Sequence, residues 1–250
     1  MSVQIKGKCK YCGKEYAKGY MIRHLRSCKM RKEILEKETG RKNCGYFTIS
    51  IYGRYNKDYW LIIEVNENVR LSNLDRFLRD IWVECCGHLS SFEIDGTLYD
   101  VCPSEDEFWG PPSKDMEYKL KKVLREGMSF RYEYDFGSTT ELVLDVSDYR
   151  KGADRKEYLT ILSRNNPLEP LCDCCHEKKA DYVNTEWYDN VITFICQDCM
   201  TEKANEGECD EDMFLPVCNS PRMGVCGYEG SSEYPDQFVP DCEKSMRSDI

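Results

Sequence analysis

Two cysteine pairs in the C-terminal half of the chain have the spacing of a four-thiolate metal site. Cys172 and Cys175 form one C-x2-C pair, and Cys196 and Cys199 form a second after twenty intervening residues. A C-x2-C turn points two thiolates the same way, so two such turns at the ends of a short hairpin complete a tetrahedron around one ion. The spacing is typical of a zinc ribbon or treble clef. Four protein ligands leave no open position for water, which favours a structural ion.

The strands of this hairpin are expected at residues 180–182 and 191–195, with the tip at residues 184–190. Cys174 and His176 lie beside the first pair and are alternative ligands, ranked below the clean C-x2-C pair. Iron can occupy four-cysteine sites of similar spacing, so the sequence alone does not separate iron from zinc.

A second metal site is predicted near the start of the chain. Its residues follow the two-cysteine, histidine, cysteine layout of a zinc finger, with eleven residues between the two halves, and they are Cys9, Cys12, His24 and Cys28. The layout predicts a hairpin at residues 11–16 and a helix from about residue 18, which sets His24 and Cys28 on one helical face. The small apolar core is expected from Tyr20, Met21 and Leu25. Two zinc ions per chain are therefore expected.

Charge is distributed unevenly along the chain. Residues 1–43 contain 13 Lys and Arg against 4 Glu, a net of +9, so the other 207 residues must carry −19 to give the total of −10. A basic finger therefore precedes an acidic body, and such a basic patch is the electrostatic footprint of a nucleic-acid contact. Because one finger reads only about 3 base pairs, contact with phosphate is expected rather than sequence reading. The candidate residues are Lys14, Lys18, Arg23, Arg26, Lys29, Arg31 and Lys32.

The 16 cysteines would indicate disulfides in a secreted protein. The first residues, MSVQIKGKCK, contain no apolar signal region, and no later stretch is long enough to span a membrane. The cytoplasm, where thiols stay reduced and bind metal, is therefore the expected compartment, and no membrane partner is expected.

The central part, residues 45–165, has a mixed pattern. Alternating apolar residues predict strands at residues 47–51 and 59–65, and an apolar stripe after Ser72 predicts a helix. A hairpin is expected around Asp95 and Gly96, and a second helix after Ser113. Three further strands are expected near residues 129–136, 141–146 and 158–163. This order predicts an α+β fold in which two helices pack on a mostly antiparallel sheet.

Several stretches of this central part carry a family resemblance. They are WLIIEV, LSNLDRFLRDIW, HLSSFEI and FRYEYDFG. Residues 46–165 resemble the domain family named after the third open reading frame of a plant-tumour (Ri) plasmid. Its members are often labelled as passenger proteins of mobile elements. The resemblance implies an architecture, and no activity is firmly attached to it.

The chain departs from the family after the Tyr-Asp-Phe-Gly motif. The family typically continues with Asp and then Trp and His at alternate positions, whereas this chain has Ser-Thr-Thr-Glu followed by Leu142. Leucine neither titrates nor coordinates a metal. His88 and Asp135 remain as a possible pair, but His88 is expected to be a helix-exit residue bonded to the backbone. The neighbouring Cys85 and Cys86 are expected to behave as small apolar residues, and a metal site formed with His88 is ranked below this.

These patterns divide the chain into a basic zinc finger with an extended helix (residues 1–43), the α+β domain (45–165), a zinc ribbon or treble clef (168–206) and an irregular tail (207–250). The tail contains four single cysteines without the turn geometry of pairs, so a third metal site there is an open question. They are Cys209, Cys218, Cys226 and Cys242.

Three functions remain open. The favoured one is a zinc-binding, non-enzymatic protein associated with nucleic acid or with an assembly, in which the finger meets phosphate. The first alternative is a protein-interaction adaptor built on the zinc modules. The second is an enzyme of unknown reaction with a site near His88 and Asp135, although no phosphate-loop, dinucleotide, zincin or hydrolase motif is present.

Overall fold

The computed structural model describes residues 4–38, 43–103, 112–185, 193–208 and 210–243. The chain forms two compact units. The first contains residues 1–78, 89–166 and 237–250, and the second contains residues 79–88 and 167–236. Each unit therefore combines segments that are far apart in the sequence.

A hairpin and two consecutive helices form the N-terminal part of the first unit. β1 (Lys6–Lys8) pairs antiparallel with β2 (Glu15–Ala17), and the chain continues into α1 (Lys18–Ser27) and α2 (Lys29–Glu36). The hairpin and helix agree with the prediction, but β1 lies before the predicted residues 11–16 and β2 overlaps only their end. Tyr20 is 59% exposed and therefore lies outside the predicted apolar core.

An eight-stranded sheet lies at the centre of the first unit. Its strands are β3 (Cys44–Gly53), β4 (Trp60–Asn66), β5 (Ser90–Ile94), β6 (Thr97–Asp100), β7 (Ser113–Asp115), β8 (Ser129–Tyr134), β9 (Thr140–Gly152) and β10 (Leu159–Arg164). Their spatial order is β10-β4-β3-β9-β8-β5-β6-β7. All neighbouring pairs are antiparallel except β6 and β7, which are parallel.

Two helices accompany the sheet, and both differ in detail from the prediction. α3 (Leu71–Leu78) begins one residue before Ser72, so Ser72 is not its cap. The predicted helix after Ser113 is wrong over its first part, because Ser113 lies in β7 and pairs with β6. Only α4 (Leu120–Val123) is helical there. The α+β class with a mostly antiparallel sheet is nevertheless confirmed.

The second unit begins with a π-helical turn (Arg79–Val83). It also contains a three-stranded antiparallel sheet in the order β12-β11-β13. These elements are β11 (Tyr182–Asn184), β12 (Phe194–Ile195), α5 (Gln197–Asn205), a 3-10 turn (Glu211–Met213) and β13 (Phe214–Pro216). The predicted hairpin is present with shifted bounds, and most of its predicted tip lies outside the described residues. Across the described part of the chain, no helix has the length and apolar character needed to cross a bilayer.

Candidate metal centres

The four ligands predicted near the start of the chain lie together in the structure. Their side-chain ligand atoms are all within 4.8 Å of one another, and we name this set the finger group: Cys9, Cys12, His24 and Cys28. The Cys12 sulfur lies 3.3 Å from the Nε2 atom of His24. A tetrahedral zinc ion with Zn–S of about 2.3 Å and Zn–N of about 2.0–2.1 Å separates sulfur from nitrogen by about 3.6 Å. The spacing therefore suits one small ion.

Local structure positions the finger group. The turn between β1 and β2 closes with a hydrogen bond from the Gly13 amide to the Cys9 carbonyl (2.9 Å), and Gly13 has φ +69°, a conformation that suits glycine. Burial raises the pKa of the Cys9 thiol to about 12, although the backbone amides of Cys12 and Tyr11 donate to its sulfur and act in the opposite direction. A bound cation reverses such a rise, because coordination deprotonates a thiol.

The elements β1, β2, α1 and α2, which we call the finger, share their apolar core with the large sheet. Met21 and Leu25 of α1 pack with Trp60 and Ile62 of β4 and with Leu162 of β10. Residues two apart on a strand share one face, so Trp60, Ile62 and Glu64 all project towards the finger side. The finger is therefore fixed to the sheet and is not held by its linker alone.

A buried ion pair completes this contact. The Arg31 guanidinium of α2 donates to the Glu64 carboxylate of β4 at 2.8 Å, and both side chains are almost fully buried. Arg150 also donates to Glu64 at 2.8 Å, and Arg155 is bonded to it as well. Burial raises the pKa of the Glu64 carboxyl, but Arg150, Arg31 and Arg155 outweigh burial and lower it to about 2.

The four cysteines predicted in the C-terminal half also converge, with ligand atoms within 4.8 Å of one another, and we name them the ribbon group: Cys172, Cys175, Cys196 and Cys199. Cys196 is the N-cap residue of α5 and Cys199 lies in its first turn, so one helix end positions both ligands. Burial raises the pKa of Cys172, but the backbone amides of Cys175, Cys196 and Cys174 donate to its sulfur and lower it to about 6. Cys174 packs beside the group but is not one of its four members.

A third set of ligands is not predicted by the sequence. Its ligand atoms also lie within 4.8 Å of one another, and we name it the third group: Cys85, Cys86, His88 and Cys226. The prediction that His88 faces the backbone and that Cys85 and Cys86 act as apolar residues is corrected, because the His88 ring faces two sulfurs. The C-C-x-H run is the available signal, but Cys226 stands alone in the sequence. All three groups could hold a metal ion.

The candidate phosphate-binding residues differ in exposure. Five are exposed, and they are Lys14, Arg23, Arg26, Lys29 and Lys32. Lys18 is half-buried with its ammonium 3.1 Å from the centre of the Tyr52 ring. Arg31 must be removed from the predicted set, because its guanidinium is buried against Glu64 and cannot reach a phosphate.

The remaining candidates have local roles. Asp135, with φ +64°, accepts a hydrogen bond from the Gly137 amide (3.0 Å), so its carboxylate stabilises the turn after β8. Of the single cysteines in the tail, Cys226 belongs to the third group, Cys218 is buried and Cys242 is half-buried. Cys209 lies outside the described residues.

Comparison with known proteins identifies the family. The family described as plasmid pRiA4b ORF-3-like protein matches residues 47–175, just over half of the chain. The chain belongs to the plasmid pRiA4b ORF-3-like family. The match covers most of the eight-stranded sheet and extends to Cys172 and Cys175 of the ribbon group, ten residues beyond the predicted end of the α+β domain.

Solved structures similar to this pRiA4b ORF-3-like chain include the crystal structure of a protein of unknown function, MM3350, from Methanosarcina mazei Go1. The two sequences are 19% identical, the similarity covers 50% of this chain and 72% of the other, and the TM-score is 0.42. No curated protein matches the chain.

Proposed function

We propose that this chain is a zinc-binding, non-enzymatic protein whose N-terminal finger contacts the phosphate groups of a nucleic acid. The observation that carries the proposal is the exposed cationic surface on the finger. α1 contains no acidic residue. Five exposed cations lie within four residues of a finger-group ligand in the sequence, and they are Lys14, Arg23, Arg26, Lys29 and Lys32. Such a surface attracts polyanions by releasing their condensed counterions.

Zinc is the metal that suits the finger group best. Three thiolates and one imidazole form a common structural zinc set. Burial lowers the pKa of His24, and the positive charge of Lys14 lowers it further to a smaller extent. A lowered pKa keeps the imidazole neutral, which is the form that binds metal.

An exposed aromatic ring lies among these cations. Tyr20 stacks on Tyr16 with ring centroids 5.6 Å apart and planes inclined by 19°, and the Arg23 guanidinium lies 4.6 Å from the Tyr20 ring centre. Aromatic and guanidinium planes are the surfaces on which unpaired bases stack. This pair therefore favours a single-stranded partner over a duplex.

The test is binding of the zinc-loaded full chain to fluorescent single-stranded and duplex oligonucleotides over a range of salt concentrations. We expect affinity to fall linearly with salt on logarithmic axes. The triple variant Lys14→Gln, Arg23→Gln, Lys29→Gln should reduce the slope by about one for each phosphate that it no longer neutralises.

The matched control removes the same charge from the same unit at a site outside the finger. Lys119, Lys121 and Lys122 are exposed around α4, so their triple Gln variant should bind like the wild type. Equally weakened binding in both variants would show a general charge effect and would contradict a finger-specific surface. No salt-dependent binding in the wild type would refute the proposal.

A protein partner is the second candidate. Met30 and Ile34 are 42% and 46% exposed and lie four residues apart on one face of α2. Exposed apolar pairs of this kind are typical of protein contacts. If nucleic acid does not bind, failure of the Met30→Ser, Ile34→Ser variant to capture a protein that the wild type captures would support this candidate instead.

A further inference from the structure

The third group joins two segments of the second unit that are more than a hundred residues apart. Its closest contacts run from the His88 Nε2 atom to the sulfurs of Cys86 (2.9 Å) and Cys226 (3.3 Å). The Cys86 sulfur also lies 3.5 Å from that of Cys85 and 3.8 Å from that of Cys226. Tetrahedral zinc separates two sulfurs by about 3.8 Å and a sulfur from a nitrogen by about 3.6 Å. Three thiols and one imidazole therefore lie at nearly the spacing that one ion requires.

The loop that carries three of these ligands is held in shape by its neighbours. Arg79, in the π-helical turn, pairs with Glu84 at 2.7 Å and donates to the His88 carbonyl at 2.7 Å. Glu84 in turn accepts a hydrogen bond from the Gly87 amide at 2.6 Å. These bonds span both ends of the loop, so its ligands are pre-organised before an ion arrives.

The fourth ligand comes from an equally fixed segment. Ser220 donates to the Trp82 carbonyl at 2.6 Å, and the Trp82 indole donates to the Asn219 carbonyl at 3.1 Å. Cys226 itself has φ +51°, a conformation that non-glycine residues rarely adopt and that tends to persist at ligand sites. The tail segment is thus bonded to the π-helical turn, and it presents Cys226 to the other ligands.

A buried arginine lies beside the third group and can balance its charge. Three thiolates and one divalent ion leave one net negative charge on a site of this composition. Arg222 is fully buried, and its Nη2 atom lies 3.4 Å from the Cys85 sulfur. A guanidinium stays charged in proteins, so Arg222 lies where it offsets this negative charge. The group therefore has a compensating charge in place.

From this geometry we propose that Cys85, Cys86, His88 and Cys226 bind a third zinc ion, which fastens the tail loop to the π-helical turn. The site goes beyond the proposed phosphate contact of the finger and does not depend on it. Cys86 and Cys226 are exposed, whereas the finger and ribbon groups have no exposed ligand. The third ion is therefore the one most accessible from solvent.

The test is the zinc content of the full chain, measured by native mass spectrometry after purification without added metal. The wild type should carry three ions and Cys226→Ser two. Cys102→Ser is the matched control, because Cys102 is exposed and belongs to none of the three groups, and it should keep three. Equal zinc content in wild type and Cys226→Ser would overturn the proposal.

A conservative exchange separates ligation from folding. His88→Cys supplies a fourth thiolate and should keep three ions, whereas His88→Ala should lose one. If His88→Cys and His88→Ala both keep the wild-type content, His88 is not a ligand and the proposed site is wrong.

Alkylation gives an independent readout. Iodoacetamide should label Cys102 at once but spare Cys86 and Cys226 until a chelator removes zinc, even though both are exposed. Immediate labelling would mean that no ion protects them. Protection that a thiol reductant removes but a chelator does not would indicate a disulfide, and either result would refute the third site.

Discussion

Replacing Glu64 with Gln should weaken the attachment of the finger to the sheet and lower the stability of the fold. Glu64 is buried beneath the finger and is bonded to Arg31, Arg150 and Arg155. The substitution keeps the shape of the side chain but leaves three guanidiniums around a neutral amide. Breaking a buried ion pair from one side costs about 3–5 kcal/mol, because the remaining charge is uncompensated.

The structure allows this cost to be estimated. The pKa of Glu64 falls from 4.5 to about 2 on folding, which corresponds to about 3 kcal/mol of stability at neutral pH. Glu38 also pairs with Arg150 and Arg155, so in the variant it would still neutralise part of the positive charge that Glu64 no longer compensates. We therefore expect the lower end of the range, about 3 kcal/mol.

The assay is urea unfolding of zinc-loaded protein followed by far-ultraviolet circular dichroism. Glu64→Gln should lower the midpoint without changing the denaturant slope. Glu117→Gln is the matched control, because Glu117 pairs with Arg70 at the surface, where both side chains are 53% exposed. An exposed pair contributes at most about 1 kcal/mol. A Glu64→Gln destabilisation no larger than that of Glu117→Gln would refute the reasoning.

The effect also has a defined pH dependence. In the unfolded chain the Glu64 carboxyl takes up a proton near pH 4.5, whereas in the folded protein it stays ionised down to about pH 2. The stabilisation is therefore fully present above about pH 4.5 and is lost as pH falls towards about 2. The difference between wild type and Glu64→Gln should narrow over this window, and a difference that persists at its lower end would have another cause.

Three further outcomes are expected. Tyr132→Phe should destabilise the fold by about 1.5–3 kcal/mol in urea, because its hydroxyl donates to the buried Asp75 carboxylate at 2.8 Å, and unchanged stability would contradict this. Burial lowers the pKa of Lys18 from 10.5 to about 8, so wild-type stability should rise between these pH values, and Lys18→Met should lack the rise. Arg222→Met should weaken the third zinc ion about 10–100-fold in chelator competition, because Arg222 contacts Cys85, and unchanged affinity would exclude this role.

Features set by nearby residues can be predicted from the sequence. The finger and ribbon groups are recognisable because a C-x2-C turn places two ligands within one local structure. The strands of the sheet are recognisable by alternation, and residues 129–134 and 159–164 form strands close to the predicted positions. In each case the signal lies within a few residues of the feature it predicts.

Features set by distant residues cannot be predicted in this way. Arg31 is a cation within a basic segment, which is typical of a phosphate contact. Only its ion pair with Glu64, 33 residues away in the sequence, buries it. Residues 113–115 form a strand because they pair with β6, against a local pattern that favours a helix. Cys226 and His88 are 138 residues apart, and no spacing rule joins them.

Two acidic residues near the C-terminus pair with lysines of the finger and should therefore affect the proposed phosphate contact. Asp241 pairs with Lys10 and Glu243 with Lys8, each at 2.9 Å, so two cations of the finger hairpin are neutralised within the chain. A phosphate chain must compete with these carboxylates for the same lysines. The double variant Asp241→Asn, Glu243→Gln should therefore bind oligonucleotide more tightly, with a salt slope increased by up to about two. If the variant binds like the wild type, and the wild type is salt-dependent, the phosphates of the bound nucleic acid do not reach Lys8 and Lys10. If neither protein binds, the proposed phosphate contact itself is wrong.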